Sequence, residues 1–255
     1  NQDRNVKTDK VEGKLDYYFI LSPKSNFNLT LGVTDVRQDF DSSIFQILDN
    51  NTTENFNENN LINRVNFRFQ DAYTALHYRF IKGIFTFDPG VTLHYYKTTT
   101  DQVNGIVSDS YSFFRPDFRV LMKLKESETL RLIFRSTRQF TDINNLAEGF
   151  IFRNYNSFFR GNPNLEAAFF NVVNLNYQSI NIFNFTNIFA NLSYSRRDNA
   201  IQNTTAVQGI NSVRSATNSD FPRYTYTASG RIDKRFKNFK GGLNINFNYS
   251  DFNNV

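Results

Sequence analysis

Apolar and polar residues alternate along much of this chain. In residues 243–250, Leu243, Ile245, Phe247 and Tyr249 alternate with asparagine and serine, and residues 15–21, 27–33 and 187–194 follow the same pattern. Strict alternation places apolar side chains on one face of a β-strand and polar side chains on the other. No segment shows a comparable helical periodicity. The pattern therefore predicts an all-β chain.

The connections between the predicted strands alternate between short and long. Within hairpins the turns are short, at residues 22–26, 82–83, 125–129, 182–183 and 238–239, whereas loops 38–60, 98–111, 139–168 and 197–222 are long and polar. This alternation is typical of an antiparallel transmembrane β-barrel, which has short periplasmic turns and long extracellular loops. The ten predicted strands span residues 13–21, 27–37, 61–81, 84–97, 112–124, 130–138, 169–181, 184–196, 223–237 and 240–252.

The turn lengths also predict a strand register. A two-residue turn at Lys82 and Gly83 would set Phe80 opposite Phe85 and place apolar residues opposite apolar ones. In the first hairpin, a five-residue turn would set Phe19 opposite Leu29. Both hairpins then carry one apolar and one polar face, as a barrel wall requires.

Composition narrows the function classes. The chain has 255 residues with 29 Phe and 13 Tyr, which is too much apolar surface for a disordered protein, and it has no run long enough for a transmembrane helix. It has no cysteine, so disulfides and thiolate metal sites are excluded. The net charge of +5 comes from basic residues interleaved with acidic ones, which does not favour nucleic-acid binding. No catalytic or nucleotide-binding motif occurs, so we expect neither enzyme activity nor a cofactor.

The two histidines are the first candidates for chemistry. The predicted register places His77 beside Asp88 and His94 beside Asp71, all on the polar face that would line the barrel lumen. One interpretation is a metal or proton site, and the alternative is a polar ladder on the lumen wall. Two separate His–Asp pairs do not supply the ligands of a metal centre, so we expect no metal.

Arginines form the second set of candidates. Arg64 and Arg68 share one strand, Arg131 and Arg135 share another, and Arg138, Arg196 and Arg197 lie at predicted strand ends. Inward-facing arginines attract anionic substrates or an acidic protein surface, whereas ordinary lumen salt bridges are the alternative. The predicted lumen-facing set is Arg64, Arg68, Asp71, His77, Asp88, His94, Arg131 and Arg135.

Three stretches resemble a known family. Residues 70–78 with the strand that follows, residues 136–138, and the run Gly161, Asn162, Pro163, Asn164, Leu165 and Glu166 resemble elements of the Bacteroidetes-type outer-membrane β-barrel proteins. That family is similar to TonB-dependent receptors. The run at residues 161–166 is the most specific of the three.

The resemblance implies a protein larger than this chain. It implies a bacterial outer-membrane transporter whose barrel of about 22 strands encloses a plug domain and takes up a glycan, peptide or metal chelate. We expect residues 1–255 to form one partial barrel domain, with the plug domain not present in this chain. Implied partners are the lipid bilayer, the plug, TonB acting through a segment outside this chain, and a surface lipoprotein.

Two other functions fit the same residues. One is a structural or adhesive barrel, or a subunit of a larger envelope complex, whose loops serve as docking surfaces. The other is a passive pore. Ten strands left open would expose unpaired edges, so either further strands complete the barrel or this segment closes by itself.

Overall fold

The computed structural model describes residues 1–56 and 60–251. Its strands are β1 (Gln2–Ser22), β2 (Ser25–Ile47), β3 (Thr53–Asn55), β4 (Ile62–Lys82), β5 (Phe85–Gln102), β6 (Gly105–Lys125), β7 (Glu128–Gln139), β8 (Phe150–Asn154), β9 (Ser157–Arg160), β10 (Ala168–Asn181), β11 (Thr186–Asp198), β12 (Ile201–Gln208), β13 (Asn211–Asn218), β14 (Arg223–Phe236) and β15 (Phe239–Asp251). A single 3-10 helix, Ile143–Asn145, lies among these described residues. No helix in the described ranges has the length and apolar content to cross a membrane.

Ten of the strands form one antiparallel sheet. Its order is β1-β2-β4-β5-β6-β7-β10-β11-β14-β15, with β3 paired to β2 alone. Apart from β3 and the four short strands β8, β9, β12 and β13, strands that are neighbours in the sheet are also neighbours along the chain. This order is expected for a barrel wall built from successive hairpins. Within the described residues, β1 and β15 are the two edges and are not paired with each other. The predicted all-β, antiparallel architecture is confirmed.

Several strands extend well beyond their predicted ends. β1 begins at Gln2 and β2 continues to Ile47, so much of the predicted loop 38–60 is strand. β5 and β6 meet at a tight turn between Gln102 and Gly105, so the predicted loop 98–111 is the end of a hairpin. The polar composition of these segments hid their extended backbone, because most of their side chains face water and only a few, such as Phe40 and Ile44, are buried. Residues 57–59 of the predicted loop and residue 252 of the predicted last strand lie outside the described residues.

Both predicted registers are wrong by two residues. Phe80 pairs with Phe87, because the turn residues are Gly83 and Ile84 and Gly83 adopts a φ of 59°. A positive φ at the first central residue is a feature of type I′ and type II′ turns, whose backbone twist matches the twist of the flanking strands. In the first hairpin Phe19 pairs with Phe27. A shift of two residues leaves every side chain on its predicted face, so the matching of apolar with apolar residues survives.

One face of the sheet carries exposed apolar side chains near the short turns, and we call it the outer face. On β1 and β2 these side chains are paired, as Leu15 with Leu31 and Tyr17 with Leu29. We call the apolar side chains of this face the outer ladder. Its further members are Leu76, Leu93, Phe114, Leu192, Ile245 and Phe247. Because β2 has 23 residues and a bilayer needs about 9–11, only the part near the turns crosses the lipid. The loop ends of the strands project beyond it.

The opposite, inner face is covered near the long loops. Residues 143–160 and the hairpin β12–β13, which we call the cap, form a four-stranded sheet ordered β12-β13-β9-β8. β9 and β13 pair in parallel and so join the two longest loops. A buried apolar cluster attaches the cap to β2 and β4, and its members are Phe40, Val65, Phe67, Ile143, Leu146, Ala147, Ile151, Phe159 and Ala216. The two loops therefore fold over the barrel interior.

Candidate functional site

Side-chain amides of the barrel wall hold the cap in place. Asn63 on β4 is 3% exposed, and its Oδ1 accepts a hydrogen bond from the Gly149 N–H at 2.8 Å. Its Nδ2 donates to Ser42 Oγ at 2.9 Å. Gln102 on β5 donates from Nε2 to the Leu146 carbonyl at 2.9 Å. Because these amides satisfy backbone groups that have no partner in a strand ladder, they fix the position of the loop over the inner face.

The run at residues 161–166 forms a second clamp on the cap. The Gly161 N–H donates to the Ala147 carbonyl at 2.8 Å, and the Asn162 N–H donates to the Asn145 carbonyl at 2.6 Å. A Cβ on Gly161 would lie 2.5–2.7 Å from backbone atoms of Asn145 and Ala147, so only glycine permits this approach. Asn162 Oδ1 also accepts the Asn164 N–H at 2.9 Å, which stabilises the turn.

The end of this run is tied to the other long loop. The Glu166 N–H donates to Asn218 Oδ1 at 2.9 Å, and Asn218 Nδ2 donates back to the Glu166 carbonyl at 2.9 Å. Asn199 Nδ2 donates to Glu166 Oε2 at 3.0 Å. The run that carries the family resemblance therefore joins loops 139–168 and 197–222.

A cleft of about 430 Å³ lies beneath the cap. Its wall on the barrel side includes Thr98, Thr100 and Tyr111, and the opposite wall is formed by Leu146 and residues 163–166. Arg138 and Phe140, at and just beyond the end of β7, close one side. Two of the sequence elements that resemble the family, residues 136–138 and 161–166, thus meet at one cleft.

Arg138 is held by aromatic rings. Its guanidinium carbon lies 4.0 Å from the ring centroid of Phe169, 4.5 Å from that of Tyr111 and 4.7 Å from that of Phe113. Tyr111 lies on the loop side of Phe114 on β6 and lines the cleft at the loop end of the strands, beyond the lipid. Burial raises the pKa of the Tyr111 phenol above its usual value, and the charge of Arg138 and its hydrogen bond to the phenol oppose that shift.

An aromatic stack leads from the cleft along the inner face. The rings of Tyr111 and Phe140 contact Tyr96, whose ring stacks on His94 with centroids 5.0 Å apart. His94 is 5% exposed, and its Nδ1 lies 2.9 Å from Asp71 Oδ1. His94 and Asp71 therefore lie side by side on the inner face, although they are diagonal neighbours and not the directly opposed pair that was predicted.

His77 contacts a different carboxylate from the one predicted. Its Nε2 lies 3.1 Å from Asp117 Oδ2 on β6, two strands away. The ring reaches across β5 at Gly90, which pairs with both His77 and Asp117 and has no side chain to block it. Asp88 instead lies 3.6 Å from Arg119. Within the described residues no group of three or more His, Asp or Glu side chains is placed to hold a metal ion.

The arginine candidates separate onto two faces. Arg131 and Arg135 lie on the inner face, where Arg135 is paired with Asp117 in register. Arg64 and Arg68 lie on the outer face, contrary to the prediction, and Arg68 donates to Asp35 Oδ2 at 2.6 Å. The polarity of the two faces inverts near the loops, because the apolar cap covers the inner face there and water covers the outer face.

Sequence reasoning did not identify several residues of this site. Asn63, Gln102, Tyr111 and Phe140 come from four different segments, and the sheet and cap bring them together. The uncharged amides of Asn63 and Gln102 are common residue types in this asparagine-rich chain. Their one distinguishing feature is a hydrogen bond to the loop backbone, which only the folded structure reveals.

The fold is that of the wall of a transmembrane β-barrel of the outer-membrane type. Its defining features are antiparallel strands in chain order, apolar side chains on the outer face, tight turns at one end and long loops at the other. Sequence comparison agrees with this class. The chain matches the outer membrane protein beta-barrel family over residues 1–255 and belongs to that family. It is therefore a protein of the bacterial outer membrane. No curated protein shows significant sequence similarity to the chain.

Three solved structures with the same fold are named as transporters or as a receptor. The copper transporter OprC superimposes with a TM-score of 0.71 at 10% identity, over 98% of this chain and 39% of the transporter. The FrpB iron transporter of Neisseria meningitidis gives 0.63 at 10% identity, over 97% and 36%. The haemophore receptor HasR of Serratia marcescens, solved with its haemophore HasA and haem, gives 0.61 at 13% identity, over 93% and 43%.

These structures confirm the predicted likeness to TonB-dependent receptors at the level of the fold. At such low identity the likeness carries no residue-level assignment. The chain spans about two fifths of the length of these proteins.

Proposed function

We propose that this chain is part of the barrel of a TonB-dependent transporter, which takes up a glycan, a peptide or a metal chelate through a plugged lumen. Inner-face residues would line the lumen and contact the plug, and they are Asp71, His77, Asp88, His94, Arg131 and Arg135. TonB would supply energy through the plug, and a surface lipoprotein over the cap is a further partner. The chain itself would carry out no covalent chemistry.

The cap is the observation that carries this proposal. It covers the loop end of the inner face with a buried apolar cluster and leaves a cleft of about 430 Å³ beneath it. A passive pore needs an open aqueous path, and loops packed onto the lumen wall narrow that path. A receptor needs a recess of ligand size, and binding sites commonly enclose about 300–1,000 Å³. Solved structures of similar fold include proteins named for copper, iron and haem.

The test uses the full-length protein purified from outer membranes. We expect no steady conductance in planar bilayers, together with binding to the purified periplasmic domain of TonB. Steady conductance without TonB binding would instead establish a passive pore. Absence of both would favour a structural or adhesive barrel.

A substitution in the cap distinguishes a barrel closed by a plug from a barrel closed by the cap alone. Phe159 is 3% exposed in the cluster that attaches the cap, so Phe159→Ala is expected to loosen it. A plugged barrel stays closed in this variant. If Phe159→Ala opens a steady conductance, the lumen has no plug and the proposal of TonB-driven uptake is wrong.

A further inference from the structure

Arg138 lies in the cleft without a carboxylate counter-ion among the described residues. No ion pair joins it to a carboxylate within the described part of the chain, although eleven other ion pairs are present there. Its Nε is buried and has no hydrogen-bond partner. Three aromatic rings hold the guanidinium, and the Tyr111 phenol, which hydrogen-bonds it, supplies no negative charge at neutral pH. A half-buried guanidinium without a counter-ion is strongly stabilised by an anion that accepts hydrogen bonds from its planar N–H donors.

The remainder of the cleft limits the kind of anion. Phe140, Phe169 and Leu146 supply apolar surface, whereas Asp109 and Glu166 place two carboxylates on the lining. A polyanion would face repulsion from these carboxylates wherever it extended beyond Arg138. A single carboxylate attached to an apolar body avoids that repulsion and also covers the apolar lining.

We propose that this cleft binds an organic carboxylate that carries an aromatic or other apolar group, with Arg138 pairing to the carboxylate. The apolar group lies against Phe140 and Phe169. This inference rests on the proposed function, since it names the chemistry that the transporter captures at the cell surface. It assigns Arg138 as the residue that selects for charge.

The experiment is ligand-observed fluorine NMR on the full-length protein in detergent. The probes are 4-fluorobenzoate and its neutral isostere 4-fluorobenzamide, each with empty micelles as the blank. We expect the protein to broaden the benzoate signal, and we expect benzamide to bind at least tenfold more weakly. Because this comparison needs no variant, it holds even if substitutions disturb folding. Equal broadening of the two probes, or no broadening of benzoate at millimolar concentration, would overturn the proposal.

Two arginine variants locate the site. Arg138→Gln is expected to weaken benzoate binding at least tenfold, whereas Arg64→Gln, at an exposed residue of the outer face and outside the cleft, is expected to leave it unchanged. Equal binding to both variants would contradict the assignment. TonB binding and bilayer conductance, measured on the same wild-type sample, report separately on transport. Benzoate binding without TonB binding would refute the transporter and leave the site standing, and the converse would refute the site alone.

Discussion

Gly161 provides the sharpest test of how the cap is held. In Gly161→Ala the added Cβ would lie 2.5 Å from the Asn145 carbonyl oxygen and 2.7 Å from the Ala147 backbone nitrogen and oxygen. An ordinary contact needs about 3.4 Å, so the two backbone segments must separate by about 0.9 Å. These neighbours are backbone atoms, which cannot turn aside as the end of a flexible side chain can.

The separation breaks two hydrogen bonds. The bonds from Gly161 N to Ala147 O, at 2.8 Å, and from Asn162 N to Asn145 O, at 2.6 Å, would both exceed the usual limit of about 3.2 Å. At about 0.5–1.5 kcal/mol each, their loss destabilises the closed cap by about 1–3 kcal/mol. That corresponds to an increase of roughly 5- to 150-fold in the equilibrium constant for cap opening.

Hydrogen exchange followed by mass spectrometry measures this opening directly. On the full-length protein in detergent, peptides covering residues 143–165 should exchange faster in Gly161→Ala, while peptides from β4 and β5 should not change. Gly230→Ala is the matched control, because a Cβ there meets no atom within 4 Å. Unchanged exchange over residues 143–165 in Gly161→Ala would show that the close approach does not hold the cap.

Three further predictions concern other parts of the molecule. Asn63→Ala leaves the buried Gly149 N–H without an acceptor, so cap opening should become easier by about 1–3 kcal/mol, again by hydrogen exchange over residues 143–165. Phe159→Ala should speed tryptic cleavage after Arg153 and Arg160, whose side chains are already exposed, because truncation of a buried phenylalanine costs about 3–5 kcal/mol and loosens the backbone of this loop. Tyr155→Ala, at a residue 90% exposed, should leave the cleavage rate unchanged, and equal cleavage of the two variants would contradict the packing. Leu192→Arg on the outer face should lower the free energy of unfolding, measured in urea, by about 2–4 kcal/mol. Ser193→Arg on the inner face should leave that free energy nearly unchanged, and an equal loss in both variants would mean that the faces are assigned wrongly.

The alternating pattern of residues determined the barrel wall. All ten predicted strands exist in the predicted order, because lipid on one side and the lumen on the other impose a period of two that is legible in the sequence. His77 and His94 share one face of the sheet and Leu76 lies on the other, as alternation predicts, even though the register was off by two residues, since such a shift preserves side-chain direction. The resemblance carried by residues 161–166 pointed to the correct family.

The cap and its cleft were decided by tertiary structure alone. Nothing in loops 139–168 and 197–222 indicated that β9 and β13 would pair, because parallel pairing between distant segments leaves no local pattern. For the same reason Arg64 and Arg68 were assigned to the wrong face. Alternation shows which residues share a face, but the environment that each face meets changes along a long strand. Near the turns the outer face meets lipid, and near the loops the inner face meets the apolar cap, so the apolar side of the strand switches where the chain leaves the membrane.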